Sequence, residues 1–415
     1  KGIVIGKILT VDKHPDADRL NLTNVDVGTE DPLQIVCGAP NVAIGLNVPV
    51  ATVGTRLYDG DESFKIKRSK IRGQISNGMI CGPDEIGLGP KTDGIMELPE
   101  DAEVGMAGAD YFNINEDIVF EIGLTPNRSD AMSHIGVARD LKAVLNSRGD
   151  DLKMCLPSIK DFKIDNKDLT IDVNIESEAL CPRYSGVSIS NVTVNESPDW
   201  LKHKLLSIGI NPINNIVDVT NYVLHETGQP LHAFDTEKIL GKEIIVKTLS
   251  NDTNFITLDE SNRKLSDNDL MICNAKEPMC IAGVFGGLDS GVTKNTNSIF
   301  IESAYFDPTS IRKTAKYHKL NTDASFRYER GCDPNITVYA LKRAALLIQE
   351  LCGGVISSDV VDVYPNPIED FSINFSFNNL NKLIGEELDR NLVKSIIKNL
   401  EIKIINWIKP WLNQM

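Results

Sequence analysis

Hydrophobic positions divide the chain into stretches of different period. Up to about residue 115, short runs containing several Ile and Val residues, such as Gly2–Val11 and Leu33–Cys37, alternate with turn clusters at His14-Pro15-Asp16, Gly28-Thr29 and Gly38-Ala39-Pro40. Short strands punctuated in this way predict a small β-barrel. From Asp130 the spacing becomes helical. Ile135, Ala138 and Leu141 form a stripe, Ser129 or Asp130 can cap it, and Gly149 can stop it. Lys153 to Glu196 is mostly β-like and polar and reads as a boundary region. Ser197-Pro198-Asp199 then opens a helix: Ser197 can cap, Pro198 suits the first helical position and Asp199 the positive helix end. Leu201, Leu205 and Ile208 share its apolar side, and Gly209 ends it. Elements alternate from there to about Asp370, which predicts an α+β domain. Its last helix starts near Asp333-Pro334, carries Val338, Leu341, Ala345 and Ile348, and stops at Gly353-Gly354. Leu383-Ile384-Gly385 and Leu392–Leu400 predict two further short helices.

A length of 415 residues suggests about three domains at roughly 100–200 residues each. With 41% hydrophobic and 24% charged residues the chain is compositionally globular. No apolar run approaches the ~18 residues of a membrane span, and no signal-peptide pattern follows Lys1. A soluble, cytoplasmic protein without membrane contact is the expectation. Since the first residue is not Met, the natural chain is expected to begin earlier. The eight cysteines form no C-x-x-C pair, so reduced thiols are expected rather than disulfides or structural zinc.

The net charge of −15 opposes nonspecific coating of nucleic acid, so any such contact must use local basic patches. One compact patch exists. Lys65, Lys67, Arg68, Lys70 and Arg72 make five of the eight residues from Lys65 to Arg72 basic. The segment reads either as a solvated strand face or as a phosphate-tracking surface on a barrel. His225 and His232, with Glu226 and Asp235 nearby, could be metal ligands, but Gly228 and Pro230 break any helix that would align them. Gly283-Val284-Phe285-Gly286-Gly287 allows close backbone approach, yet fits neither dinucleotide nor P-loop spacing. Glu302 interrupts the apolar run Ser298–Ala304. It is either a strand-end carboxylate in solvent, the reading its sequence context favours, or a buried acceptor with a task.

Taken together, several segments resemble the family of bacterial phenylalanyl-tRNA synthetase β subunits, over nearly the whole chain. HPDADRL (His14–Leu20), QIVCGAPNV (Gln34–Val42) and SNGMICGPDEIGLG (Ser76–Gly89) look like its OB-fold tRNA-binding domain. TPNRSDAMSHIGVARDLKA (Thr125–Ala143) matches the segment that follows the barrel. VDVTNYVLHETGQPLHAFD (Val217–Asp235), AGVFGG (Ala282–Gly287), FIESAYFDPTSIRKTAK (Phe300–Lys316) and LNTDASFRYERGCDP (Leu320–Pro334) resemble its editing domain. The implied organisation is multidomain α+β: an OB-fold β-barrel (1–115), a connecting helix and β segment (116–196), a mixed α/β B3/B4 editing domain (197–370), and the start of a small B5-type helical domain (371–415). Measured against the family's pattern, a short N-terminal segment is expected before Lys1, and the magnesium-associated acidic segment, the pseudo-catalytic domain and the anticodon-binding domain are expected beyond Met415. The closing Asn406-Trp407-Ile408-Lys409-Pro410-Trp411 does not match the family.

The resemblance implies a ligase subunit that binds tRNA(Phe) and hydrolyses mischarged Tyr-tRNA(Phe) within an α₂β₂ heterotetramer. ATP and Mg²⁺ would serve synthesis on the α subunit, with no cofactor or metal in this chain. An apolar pocket rejects an isostere carrying one extra hydroxyl by only ~10²-fold, so a second site must demand the hydroxyl. Glu302, at the family's tyrosine-hydroxyl position, would be that acceptor, and this reverses the solvent reading above. Asn221, His232, Gly283, Thr322 and Ala324 carry over as the rest of the pocket. Ala324 would keep the floor small, Thr322 and Asn221 would meet the aminoacyl group, and Gly283 would admit it. His232 would act as general base or only position tRNA or water. Hydrolysis is expected without metal or covalent intermediate. The alternatives are a non-catalytic tRNA-binding accessory module with a degenerate pocket, and an unrelated enzyme using the Gly283–Gly287 loop.

Overall fold

The computed structural model describes residues 2–59, 62–89, 91–114 and 117–406. The unmatched tail from Trp407 onward lies outside them. The chain divides into two compact units, Lys1–Ile118 and Val119–Met415.

The first unit is built on β1 (Ile3–Lys13), β2 (Asn21–Asp26), β3 (Leu33–Cys37) and β4 (Asn47–Thr52), with two hairpins following: β5 (Arg56–Asp59) with β6 (Glu62–Lys65), and β7 (Ser69–Ile71) with β8 (Gln74–Ser76). After β9 (Gly78–Ile80) comes the short helix α1 (Gly108–Tyr111). The main sheet runs β3-β2-β1-β4-β9. It nearly closes on itself, because Asn77 N–H donates to Gln34 O (2.8 Å) and Val36 N–H to Ser76 Oγ (3.1 Å), returning the β9 end to β3. A bulge between Ile8 and Thr10 helps bend β1: Leu9 has no cross-strand partner on β2 and is 42% exposed. Ile8, Val25, Ile35, Val48 and Val50 fill the barrel interior.

The second unit contains α2 (His134–Ser147), β10 (Asp172–Ile175), β11 (Arg183–Val192), α3 (Asp199–Ser207), α4 (Asn215–Thr227), β12 (Leu231–Asp235) and β13 (Glu243–Thr248). Then follow β14 (Asn254–Ile256), β15 (Asn262–Lys264), β16 (Leu270–Cys273), β17 (Pro278–Ile281), β18 (Phe285–Gly286), β19 (Ser298–Tyr305), α5 (Pro308–His318), α6 (Asp323–Tyr328) and α7 (Thr337–Cys352). Last come β20 (Gly353–Ile356), β21 (Val361–Val363), α8 (Phe377–Ile384) and α9 (Arg390–Asn399). One sheet is ordered β12-β19-β11-β20, with β21 also pairing β11; a second is ordered β10-β13-β16-β17-β18. Residue alternation gives the first sheet two apolar faces. Val187, Ile189, Ile299 and Ile301 pack with Val219, Leu341 and Ala344 of α4 and α7. Tyr184, Phe234, Phe300 and Ala304 pack with Ile244, Val246, Met271 and Ile281 of the second sheet. No helix among the described residues is long and apolar enough to cross a membrane.

Several expectations need correction. The stretch 116–196 contains β11, which lies inside the sheet paired to β19 over eight positions rather than in a connecting segment. Ser185 and Ser188 are buried there, and distant residues meet some of the polar groups: Ser185 Oγ donates to Asp362 (2.7 Å), and Ser358 Oγ accepts from Ser188 N–H (2.9 Å), while Ser188 Oγ has no partner among the described residues. Helix α2 begins at His134, capped by Ser133, because Ser129–Ala131 forms a separate 3₁₀ turn; Ile135, Gly136 and Ala143 are its buried residues. Ser197 does not cap α3, since its hydroxyl donates to the buried Asp218 (2.5 Å). Helix α7 likewise starts at Thr337, past Asp333.

Gly186 faces Phe300 so closely that an added Cβ would lie 2.1 Å from the ring's Cζ. Gly186→Ala should therefore destabilise the second unit by about 1–3 kcal/mol or more. Chemical denaturation monitored by circular dichroism measures it, and an unchanged midpoint would contradict this packing.

Candidate functional site

Glu302 sits in the middle of β19, opposite Gly186 of β11 and His232 of β12. Cross-strand partners share a face, so His232 and Glu302 both project into the layer between the two sheets. Glu302 is 4% exposed, which overturns the solvent-facing reading. Its Oε2 accepts a 2.7 Å hydrogen bond from Tyr184 Oη, itself fully buried. Burial pushes the Glu302 carboxyl up to about 7, while the Tyr184 bond pulls the other way. His232 lies edge-on to Phe234 (4.4 Å), and its Nε2 is buried without a partner among the described residues. Burial lowers it to about 4, so the imidazole is neutral near pH 7.

Around the acid, Tyr328 of α6 donates to Ala304 O (3.1 Å), and Gln229 Nε2 donates to the same carbonyl (2.8 Å). Gln229 is fully buried with Oε1 unpartnered among the described residues. Ala324 packs half-buried against this core from α6. Thr322 serves a structural purpose. It caps α6, accepting from Ser325 N–H (3.1 Å), and its hydroxyl donates to Val284 O (3.0 Å). Gly283 is also fixed by packing: at φ +64°, an added Cβ would stand 2.9 Å from both Phe306 and Tyr328. Asn221 is half-buried on α4.

The conceivable metal set does not assemble. Glu226 pairs with Arg343 (2.9 Å), Asp235 accepts from Thr296 (2.7 Å), and His225 Nδ1 meets Arg327 (3.2 Å). Sequence reasoning passed over Tyr184, Gln229 and Tyr328. Each belongs to the site through a partner far away in the chain, and no local pattern signals that.

In the first unit, Lys65, Lys67, Arg68 and Lys70 are exposed along β6, β7 and their connection, and Arg72 is exposed in the turn after β7, with Ile66 buried between them. None forms an ion pair with a described residue. Tyr58 (65%) and Phe64 (48%) expose rings on the same hairpin.

Residues 180–353 match the family "B3/4 domain", and residues 3–107 match "Putative tRNA binding domain". Phenylalanine–tRNA ligase β subunits of Bacteroides fragilis (strain YCH46) and Bacteroides thetaiotaomicron are 55% and 56% identical over 406 residues, covering 98% of this chain and 50% of each relative. The Porphyromonas gingivalis β subunit is 53% identical over 405 residues, with coverage of 97% and 49%. The chain spans about half the length of these relatives.

The raised Glu302 carboxyl has a consequence for stability. Its protonated form is favoured in the fold, so the stability it contributes is complete below about pH 4.5 and is lost as pH rises through about 7. Glu302→Gln lacks this titration. Relative to the parent it should gain about 3 kcal/mol between pH 4.5 and pH 8, because each tenfold change in proton affinity is worth ~1.4 kcal/mol. Denaturant titrations at the two pH values measure the gain, and a pH-independent difference would refute the burial.

Proposed function

Because the chain belongs, over the half of their length that it spans, to the phenylalanine–tRNA ligase β subunits, we propose that it binds tRNA and hydrolyses Tyr-tRNA(Phe) at Glu302. In this reading an α subunit, assembled with it as α₂β₂, carries the ATP- and Mg²⁺-dependent synthesis in the cytoplasm. The first unit, read as an OB-type barrel, holds tRNA. The second unit is the editing domain.

The observation that carries the reading is a buried carboxylate in a mostly aromatic and aliphatic layer. A site that hydrogen-bonds a substrate hydroxyl rejects the analogue lacking it, because its polar group is then left unpaired. A phenylalanyl ester would leave Glu302 Oε1 without the phenol it would accept from, Oε2 being held by Tyr184. His232, neutral and with a free ring nitrogen, is the group available to hold or activate water near the ester. An aminoacyl ester is already activated, so positioning supplies much of what hydrolysis needs. The accessory-module reading draws its support from Thr322 and Gly283, whose roles are met by capping and packing.

Deacylation of Tyr-tRNA(Phe) and Phe-tRNA(Phe), with α supplied and omitted, tests the proposal. Glu302→Ala should lose selectivity between the two esters, equivalent to about 1–3 kcal/mol of differential binding. Ala324→Trp should fill the pocket and abolish hydrolysis of both. Ala324→Trp clearing Tyr-tRNA(Phe) at the parent rate would exclude this pocket as the editing site.

Neutralising Lys65, Lys67, Arg68, Lys70 and Arg72 together should weaken tRNA binding and flatten its salt dependence, by ~0.7–0.9 in log–log slope for each phosphate no longer neutralised. Filter binding over a salt series reads this. An unchanged slope would return the segment to a solvated face.

A further inference from the structure

We propose that Tyr184 is the positioning residue that orients Glu302 as an acceptor and favours its ionised form, with Oε2 fixed by its own phenol and Oε1 left for a substrate phenol. The proposal rests on the Glu302 reading above.

Register makes the arrangement possible. Tyr184 pairs with Ala304, and Glu302 pairs with Gly186, so the tyrosine reaches the acid on the diagonal across two small residues. Gly186, opposite Glu302, leaves the space above β11 to the ring of Phe300, which lies two residues before Glu302 on β19. The Tyr184 hydroxyl makes its 2.7 Å bond to Oε2 from a fully buried ring. An ionised carboxylate offers about four lone-pair sites. One phenol on Oε2 therefore leaves Oε1 able to accept a second.

The groups facing Glu302 from the surrounding elements are Cys181 ahead of β11, Tyr184 on β11, His232 on β12, Cys280 on β17 and Tyr328 on α6. Burial holds the two thiols and two phenols protonated and the imidazole neutral, so none supplies positive charge. The Tyr184 hydrogen bond is the influence that favours the ionised form against desolvation. A protonated Glu302 would instead present a donor. It would lose the charge-assisted bond, about twice as strong as a neutral one, that separates tyrosine from phenylalanine.

The test follows the Tyr/Phe ester selectivity from pH 5.5 to 8.5 in the 415-residue chain with α supplied. The ratio at each pH cancels the esters' shared alkaline lability. Carboxyl ¹³C NMR of Glu302 follows its titration independently of activity. Tyr184→Phe should move both midpoints to higher pH and lower the selectivity near pH 7 by roughly several-fold, with recovery at the alkaline end. A fluorinated tyrosine at position 184, a stronger donor, should move both midpoints the other way. An unmoved carboxyl midpoint in Tyr184→Phe overturns the proposal, as does a moved midpoint with unaltered selectivity. Equal slowing of both esters at constant selectivity also overturns it, since that is what a merely structural tyrosine would give. Full selectivity in Glu302→Gln would remove the Glu302 reading itself, and the proposal with it.

Discussion

The second unit depends on the register of three antiparallel strands. β19 lies between β12 and β11, and its alternating side chains belong to two different cores. Ile299 and Ile301 face the helices, while Phe300, Glu302 and Ala304 face the second sheet. A slip of one residue on β19 would carry Glu302 among Val219, Leu341 and Ala344, and put isoleucines against Tyr184. Both cores would be disrupted together, so the packing of large apolar side chains on two faces fixes the position of one acid.

That acid is then maintained by what its neighbours lack as much as by what they offer. Gly186 and Ala304 contribute no bulk on either side of it, and Tyr184 contributes a single hydroxyl. The small residues are as specific as the polar ones: Gly186 cannot carry a Cβ beside Phe300, nor Gly283 beside Phe306 and Tyr328. Farther out, bonds between distant segments hold the frame. Arg183 grips Asp362 through two hydrogen bonds (2.9 and 2.7 Å), tying β11 to β21. The buried Asp269 takes Thr314 (2.8 Å) and His318 (2.7 Å) of α5, joining that helix to the start of β16. Removing one partner from such a buried network leaves the other unpaired, which is why these links constrain geometry more than their net energies suggest.

How much of this is legible in the sequence follows from which contacts are local. β3 coincides with the Ile/Val run Leu33–Cys37, α8 ends at Gly385 in the left-handed conformation, and α9 covers Leu392. Periodicity and glycine chemistry suffice there. β11 defeats the same reasoning, because Arg-Tyr-Ser-Gly-Val-Ser-Ile-Ser is too polar to read as an interior strand until its partners near residues 357–362 are known. The caps fail for a related reason: Ser197 and Asp333 look like helix starts, but Asp218 engages the former and a local turn the latter. For the site, Glu302 is conspicuous as a charge in an apolar run, but its sequence context alone argues for solvent. Tyr184, 118 residues away, has no local mark at all.

Residue identity and residue role therefore separate within one pocket. Thr322 and Gly283 stand where a binding function is expected, yet a cap hydrogen bond and two ring contacts already account for them. Glu302 and His232 are different: burial disfavours the charged form of each, and His232 leaves a nitrogen unpaired among the described residues. An aliphatic side chain at either position would suit the surrounding core better on packing grounds alone. Groups that a core tolerates only at a cost to stability are where recognition chemistry is to be sought. By that criterion the facing pair on β12 and β19 is where the proposed recognition would be centred, with the residues around it as walls that keep the pair dry.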